Sequence, residues 1–197
     1  MTLTDTQIAT LLTPYIAASP QLCAQLSIYL DLLLRWNERT NLTAIRSPEE
    51  IVQRHFGESL FTAQNLGPAS TLLDFGSGAG FPGLPIQLLH PQLAVTLSES
   101  QNKKSAFLRE AVRTLNLTTT IWPDRVEAMP PSQQFDIVTL RAVDKMEAAL
   151  AAAAPRARHR IAVLTTAAPP PPESFHAAAS IALPNSTTQQ LLFFDRQ

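Results

Sequence analysis

The chain has 197 residues, of which 45% are hydrophobic, so it is long enough and apolar enough to form one globular domain with a substantial core. Its formal net charge of −1 excludes a global attraction to phosphate and leaves nucleic-acid binding to local basic patches. The single cysteine, Cys23, excludes an internal disulfide bond, and no apolar run is long enough for a membrane span, so we expect a cytoplasmic protein without a membrane partner.

The first third of the chain has the pattern of amphipathic helices. Apolar residues recur at helical spacing from Ile8 to Ile16 and again from Leu22 to Leu33. A third helix is indicated by Ser47-Pro48-Glu49-Glu50, because serine can cap, proline suits the first helical position and Glu50 can complete a capping box. We therefore predict a helical extension over residues 1–65.

From Thr71 onward, short apolar runs alternate with helical stretches. The predicted strands are Thr71–Phe75, Ala94–Leu97, Thr120–Trp122, Phe135–Leu140 and Arg160–Leu164, with helices near 83–90, 102–115 and 144–154. After the four prolines Pro169–Pro172, the segments Ser180–Leu183 and Gln190–Phe194 have the pattern of an antiparallel pair. This order predicts an α/β fold over residues 66–197, with a Rossmann-like, mostly parallel sheet and an antiparallel terminal strand.

A glycine-rich segment joins the first predicted strand to the helix after it. The segment LLDFGSGAGFPGLPIQLLHP holds four of the six glycines of the chain, with the spacing Asp74-x-Gly76-x-Gly78-x-Gly80-Phe81. In a parallel α/β sheet, ligands bind beyond the carboxyl ends of the strands, and glycine lets the backbone come close to a ligand. Phe81 stands where the dinucleotide pattern requires its third glycine, which disfavours a nicotinamide-dependent oxidoreductase.

Two acidic residues accompany these glycines. Asp74 precedes them, and it suits a ligand with a positive end, such as the amino group of S-adenosylmethionine, better than a pyrophosphate. Glu99 ends the second predicted strand, where a carboxylate can accept hydrogen bonds from both hydroxyls of a ribose. The combination predicts a site for S-adenosylmethionine. The alternative is a glycine-rich turn that merely joins a strand to a helix.

These residues also resemble a known family, RsmG (GidB), ribosomal RNA small subunit methyltransferase G. The resemblance runs from about Tyr29 to Ala142 and is carried by four segments: YLDLLLRWNERTNLTAIRSPEEIVQRHFGESL, LLDFGSGAGFPGLPIQLLHP, VTLSESQNKKSAFLREA and DRVEAMPPSQQFDIVTLRAV. It implies a class I S-adenosylmethionine-dependent methyltransferase that acts on the ring nitrogen N7 of a guanine in 16S ribosomal RNA.

The resemblance also implies roles for individual residues. Val126 and Glu127 would flank the adenine of the cofactor, and Arg141 would lie beside the cofactor near the target base. Arg141 is therefore the predicted catalytic residue, acting by hydrogen bonding because arginine cannot act as a base. The whole predicted cofactor set is Asp74, Gly76, Gly78, Gly80, Phe81, Glu99, Val126, Glu127 and Arg141.

The sequence departs from the family pattern in two places. The fifth predicted strand ends in Thr165-Thr166, where the family more often has a Lys-Gly pair, so a basic contact to the substrate is missing at that point. Glu99 stands where aspartate is commoner, but its longer side chain can still reach a ribose.

The predicted RNA contacts are Lys103, Lys104 and Arg125. Three sets of basic residues have open interpretations. Lys103, Lys104, Arg109 and Arg113 recur along one helix, and Arg35, Arg39, Arg46 and Arg54 lie in the helical part. Either set can follow a phosphate backbone or form a solvated helix face. The densest set, Arg156, Arg158, His159 and Arg160, has the pattern of a solvated loop before a strand.

The sequence lacks the catalytic residues that several classes of enzyme require. The sequence has no Cys/His cluster, no serine elbow and no phosphate-loop lysine, so we expect no metal, and His55 is predicted to be packed rather than catalytic. We expect S-adenosylmethionine as cofactor, small-subunit ribosomal RNA or the 30S subunit as partner, and a monomer. The alternatives are a methyltransferase for another RNA or small-molecule acceptor, and a non-catalytic RNA-binding or ribosome-assembly module that retains the fold.

Overall fold

A seven-stranded sheet with helices on its faces forms the centre of the structure, a computed structural model that describes residues 3–143 and 145–197. The strands are β1 (Thr71–Phe75), β2 (Ala94–Ser98), β3 (Thr120–Trp122), β4 (Phe135–Arg141), β5 (Ala157–Thr165), β6 (Phe175–Ala182) and β7 (Gln190–Arg196). Their order is β3-β2-β1-β4-β5-β7-β6, and β1 to β5 are parallel, whereas β7 runs antiparallel to both β5 and β6. The predicted α/β sheet and its antiparallel end are therefore confirmed.

The helices frame this sheet in chain order. They are α1 (Asp5–Leu12), α2 (Pro20–Asn37), α3 (Pro48–Glu50), α4 (Glu58–Asn65), α5 (Gly83–Leu89), α6 (Asn102–Thr114) and α7 (Met146–Ala153). Residue 144, the first of the helix predicted over 144–154, lies outside the described residues. None of the described helices combines the length and the apolar character that a membrane crossing requires.

The start of α3 follows the prediction only in part. The Ser47 hydroxyl accepts the backbone N–H of Glu50, which is the expected cap. The reciprocal half of the capping box is wrong, because the Glu50 carboxylate instead accepts from Arg54 at 3.4 Å. Between α3 and α4, Ile51–Gly57 forms a π-helical turn, which the sequence pattern did not predict.

Two segments at the far side of the sheet extend beyond their predicted bounds. The expected solvated loop before β5 is wrong, because β5 begins at Ala157 and the buried Arg156 guanidinium donates to the carbonyls of Met129, Pro130 and Gln133. β6 begins at Phe175, five residues before its predicted start. Both segments carry exposed residues, so they lack the apolar run on which strand prediction depends.

The hydrophobic core has one cluster on each side of the sheet. Neighbouring residues of β1 point to opposite faces, with Leu72 in the cluster that contains the helical extension and Leu73 in the cluster under α7. The predicted boundary between residues 65 and 66 coincides with the end of α4. Residues on both sides of that boundary share the first cluster, so the helical extension packs directly on the half of the sheet that carries the glycine loop.

Candidate functional site

The glycine loop, residues 76–83, leads from the carboxyl end of β1 to the first residue of α5. β1 lies between β2 and β4, the point at which successive crossovers go to opposite sides, and ligands bind at such a point in open α/β sheets. Gly76 is exposed with φ +68°, and a Cβ added there would meet nothing within 4 Å. A Cβ at Gly78 would find only the Gly76 carbonyl oxygen, at 3.9 Å. We call Gly76–Gly78 the open half of the loop.

The other glycines of the segment face protein. A Cβ at Gly80 would lie 2.5 Å from Leu84 Cδ1 and 2.6 Å from the Tyr29 hydroxyl, and one at Gly83 would lie 2.9 Å from Asp74 Oδ2. We call Gly80–Gly83 the packed half. The structure thus gives Gly80 a packing role, and its predicted contact with a cofactor stays a prediction.

Asp74 supports the packed half from below. Its side chain is fully buried; Oδ2 accepts the Gly83 N–H at 3.1 Å, and Oδ1 accepts the hydroxyl of Thr139, the residue paired with it on β4, at 2.9 Å. Burial raises the pKa of Asp74 to about 6, although these hydrogen bonds oppose the rise. The carboxylate therefore fixes the start of α5, and its predicted contact with an amino group stays a prediction.

Glu99 reaches the open half from the end of β2. Its Oε2 accepts the Gly78 N–H at 3.0 Å and its Oε1 accepts the Gln101 N–H at 2.8 Å. The structure therefore brings together Gly76, Gly78 and Glu99, which the sequence separates by more than twenty positions. A carboxylate beside two glycines without side-chain cover can hold a hydroxylated ligand against the backbone.

The helical extension holds the loop from behind. The Tyr29 hydroxyl donates to the carbonyl of Ala79 and is completely buried. Phe81 stacks between the rings of Tyr29 and His55, with centroid distances of 5.5 and 4.6 Å. The predicted place of Phe81 at a cofactor stays a prediction, but the structure shows that its ring ties the loop to α2 and the π-helical turn. Sequence reasoning missed Tyr29, which looks like one more apolar residue of a helical stripe.

His55 is packed and hydrogen-bonded, as the sequence predicted. Its Nε2 lies 2.7 Å from the Thr43 hydroxyl, and its buried Nδ1 has no partner among the described residues. Burial, with help from Arg141 and Arg54, lowers the pKa of His55 to about 3. The imidazole is therefore neutral at physiological pH.

Arg141, the last residue of β4, is tied to the helical extension. Its guanidinium donates at 2.6 Å to both the Glu58 carboxylate and the Arg54 carbonyl, and its side chain is only 11% exposed. Burial raises the pKa of Glu58, and the Arg141 charge opposes that rise. Arg141 thus joins β4 to the junction of the π-helical turn and α4. The sequence contained no signal for this partner, and the predicted contact of Arg141 with a base stays a prediction.

The segment after β3 lies beside the end of β2. The Ser98 hydroxyl donates to the Asp124 carbonyl at 2.9 Å, and the Trp122 indole donates to the Arg125 carbonyl at 3.0 Å. These bonds place the short 3-10 turn Val126–Ala128 next to the strand that delivers Glu99. Val126 is buried and Glu127 is exposed, and their role at an adenine stays a prediction.

The predicted RNA residues lie near the same edge. Lys103 and Lys104 are in the first turn of α6, which begins three residues after Glu99, and Arg125 is exposed in the loop after β3. Thr165 ends β5, and its hydroxyl accepts the Ala167 N–H at 3.1 Å. Across residues 3–143 and 145–197, no group of three or more His, Cys, Asp or Glu side chains is arranged to hold a metal ion.

Comparison with known sequences points to one family. A model of the family described as GidB, rRNA small subunit methyltransferase G, matches residues 22–169. The ribosomal RNA small subunit methyltransferase G of Xanthomonas euvesicatoria pv. vesicatoria (strain 85-10) is 44% identical over 129 residues, which are 65% of this chain and 60% of that protein. The protein of the same name from Roseiflexus sp. (strain RS-1) is 47% identical over 128 residues, 62% of this chain and 55% of that protein. The chain thus spans 55% to 60% of the length of these relatives.

Comparison with solved structures bears on the fold. The structure described as putative methyltransferase yhhF from Escherichia coli superposes with a TM-score of 0.56 at 17% identity, covering 71% of this chain and 83% of that one. At this identity the likeness shows the fold alone, which is the class I methyltransferase fold.

Proposed function

The chain belongs to the rRNA small subunit methyltransferase G family, and from this premise we propose that it transfers a methyl group from S-adenosylmethionine to N7 of a guanine in 16S ribosomal RNA. The observation that carries the proposal is the open half of the glycine loop beside Glu99. There a carboxylate and a backbone without side-chain cover meet at the carboxyl end of the central strands.

The residues present fit S-adenosylmethionine. The space that a Cβ would fill at Gly76 and Gly78 would hold the methionine part, Glu99 would accept hydrogen bonds from the ribose hydroxyls, and Val126 and Glu127 would flank the adenine. When bound, the cofactor supplies an activated methyl group on a positively charged sulfur. The protein then has to align that group with the acceptor, because methyl transfer is an in-line displacement at carbon.

Among the described residues, neither His55 nor Arg141 is available as a general base, and the proposed acceptor needs none. Ring nitrogen seven of guanine has a free lone pair at neutral pH, so no proton must leave before the methyl group arrives. His55 is neutral but is held against Thr43 and Phe81, and Arg141 cannot accept a proton. Arg141 instead would donate a hydrogen bond to the guanine oxygen or to a flanking phosphate, which fixes the line of approach.

The proposed RNA substrate would lie along the exposed basic residues of the same edge. Lys103, Lys104 and Arg125 would contact phosphates, and such contacts position a nucleic acid without reading its sequence. With a ribosomal substrate the protein would act in the cytoplasm, and we propose that it acts there as a monomer.

A labelled-methyl assay tests the proposal. The chain is incubated with labelled S-adenosylmethionine and small ribosomal subunits, or their naked 16S RNA, from cells that lack the enzyme, and the modified nucleotide is mapped. We expect a single N7-methylated guanine. Gly78→Val is the control, since a branched side chain would fill the open half and abolish cofactor binding. Cofactor binding without any methylation would leave the non-catalytic RNA-binding alternative, and a methylated non-ribosomal acceptor would indicate a different substrate.

A further inference from the structure

We propose that a groove between α2 and α6 binds one nucleotide of the single-stranded RNA substrate, with the base stacked on Trp36 and the phosphates on Arg35 and Arg39. This proposal rests on the proposed function, since it names a second contact region for the same RNA. The groove has a volume of about 440 Å³ and is lined by Arg35, Trp36, Glu38, Arg39, Thr40 and Glu110. We call it the α2–α6 groove.

Trp36 provides a fixed aromatic surface. Its ring packs edge-on against Phe107 of α6, with 5.7 Å between centroids and 69° between planes, and Phe107 is fully buried. The core therefore holds Trp36 from one side, while the half-buried ring lines the groove on the other. Its indole N–H has no hydrogen-bond partner among the described residues. An aromatic side chain in this setting is a platform on which any base can stack.

Arg35 and Arg39 provide uncommitted positive charge. Arg35 lies in the last turn of α2 and Arg39 in the turn that follows the helix, and both are exposed and line the groove. Within the described part of the chain, neither guanidinium forms an ion pair or a side-chain hydrogen bond. The other two members of this basic set are engaged, since Arg46 donates to Asn37 and Asn41 and Arg54 pairs with Glu50. The structure thus divides the four arginines into two available and two occupied.

The two carboxylates of the groove limit the class of ligand that can bind there. Glu38 and Glu110 would repel a bare phosphate or an anionic lipid head group. They can accept hydrogen bonds from the exocyclic amino group or ring N–H of a base, while the arginines hold the backbone. A nucleotide presents donors, an aromatic face and a phosphate together, so it matches all three features of the α2–α6 groove.

Helix α6 links the α2–α6 groove to the proposed catalytic edge. Lys103 lies seven residues before Glu110 on α6, about two turns and on the order of 10 Å along the same helix face. α6 itself begins at Asn102, three residues after Glu99. One RNA strand can therefore lie in the groove, pass Lys103 and reach the open half of the glycine loop.

Tryptophan fluorescence gives a direct test, because the chain has only two tryptophans. In a Trp122→Phe background Trp36 is the single emitter, and we expect a single-stranded RNA of about ten nucleotides to quench it on binding. Arg35→Gln/Arg39→Gln in this background should weaken RNA binding about tenfold and lower the slope of log affinity against log salt by about 1.4, at about 0.7 per phosphate contact. RNA binding without quenching of Trp36 would place the strand elsewhere and overturn the proposal.

A matched pair on α6 serves as the control. Arg109→Gln/Arg113→Gln removes the same charge from exposed positions that do not line the groove. We expect it to weaken RNA binding by less than about threefold, the effect of the general field alone. Equal losses in the two double variants would mean diffuse electrostatics and would overturn the proposal. Trp36→Phe should retain most of the affinity that Trp36→Leu loses, with circular dichroism confirming that both variants fold.

Methyl-transfer kinetics separate this proposal from the proposed function. Arg35→Gln/Arg39→Gln should raise KM for RNA about tenfold, with kcat and the affinity for S-adenosylmethionine unchanged. An unchanged KM would contradict RNA binding in the α2–α6 groove and would not affect the proposed methyltransferase activity. If the chain transfers no methyl group to any RNA, but RNA quenches Trp36 and the double variant loses that quenching, the groove would stand as an RNA-binding site. The proposed methyltransferase activity would then be ruled out.

Discussion

The two halves of the glycine loop use the same residue type for opposite purposes. In the open half, the missing Cβ of Gly76 leaves space outside the protein. In the packed half, Tyr29 and Leu84 occupy the space that a Cβ of Gly80 would need. The neighbouring acids divide in the same way, because Glu99 accepts from the open half and Asp74 accepts from the packed half.

This difference shows that a glycine motif is not a row of equivalent ligand contacts. A side chain added in the open half would not disturb the core, whereas the packed half connects the loop to α2 and the π-helical turn. A substitution in the open half should therefore affect ligand binding first, and one in the packed half should affect folding first.

The largest expected effect is on stability at Gly80. Gly80→Ala places a Cβ against Tyr29 and Leu84 and also strains a residue with φ +91°, so we expect a loss of about 3–4 kcal/mol in the free energy of unfolding. Gly76→Ala is the matched control, because its φ is also positive but its Cβ meets nothing, and it should cost about 1–2 kcal/mol. Urea denaturation measures both. Equal losses at the two positions would contradict the division of the loop.

The second effect is a pH dependence of the packed half. His55 has a pKa lowered to about 3, mainly by burial, against about 6.5 when unfolded, so unfolding takes up a proton between these values and stability falls as pH falls. Asp74 has a pKa raised to about 6, so its contribution has the opposite sign and falls as pH rises from about 4 to 6. The two nearly cancel in the wild-type chain.

Substitutions should reveal the two slopes. Relative to the wild type, Asp74→Asn should lose about 2–3 kcal/mol of stability on acidification from pH 6 to pH 4, and His55→Phe should gain about 3 kcal/mol from pH 6.5 to pH 4. Phenylalanine keeps the stack on Phe81, and denaturation across the pH range measures the differences. If either variant kept a constant difference from the wild type, that side chain would not titrate with unfolding.

The third effect concerns the open half and is smaller. Glu99→Gln replaces a charged acceptor at the proposed ribose contact, so we expect cofactor affinity to fall by about 1–2 kcal/mol, roughly tenfold, as measured by calorimetry. Glu99→Asp keeps the charge and should stay within about threefold of the wild type. Full affinity in the glutamine variant would show that another residue holds the ribose.

The bounds of a strand could be predicted where its buried residues form an apolar run in the sequence. β1 and β3 have their predicted bounds because each is a short run that ends at Gly76 or Pro123. The first residues of β5 could not be predicted, since Arg158 and His159 are exposed and lie beyond the core. The π-helical turn was also invisible, because its apolar spacing fits an α-helix equally well.

The site could be predicted only on its open side. The glycines and Glu99 are recognised by residue type at the ends of adjacent strands, and the sheet topology brings them together. Tyr29 and Glu58 contact Ala79 and Arg141 from 50 and 83 positions away in the chain. Such pairs are set by packing between the helical extension and the sheet, and nothing in the local sequence of either partner indicates the other.

The smallest expected effect is an absence of pH dependence in the chemical step. Between about pH 7 and pH 8.5, His55 stays neutral and Asp74 stays ionised, because their pKa values of about 3 and about 6 lie below that range. Arg141 stays protonated, and N7 of guanine needs no deprotonation, so the chemical step depends on no ionisation of these three side chains. The single-turnover rate at saturating cofactor and RNA should therefore change by less than about twofold across this range. Since Asp74 and His55 contact the packed half at Gly83 and Phe81, this result would show that the packed half acts on catalysis only by holding the loop in place. A tenfold rise that follows one ionisation and disappears in His55→Phe would instead assign proton transfer to His55, and the acceptor would then be an atom whose proton must leave.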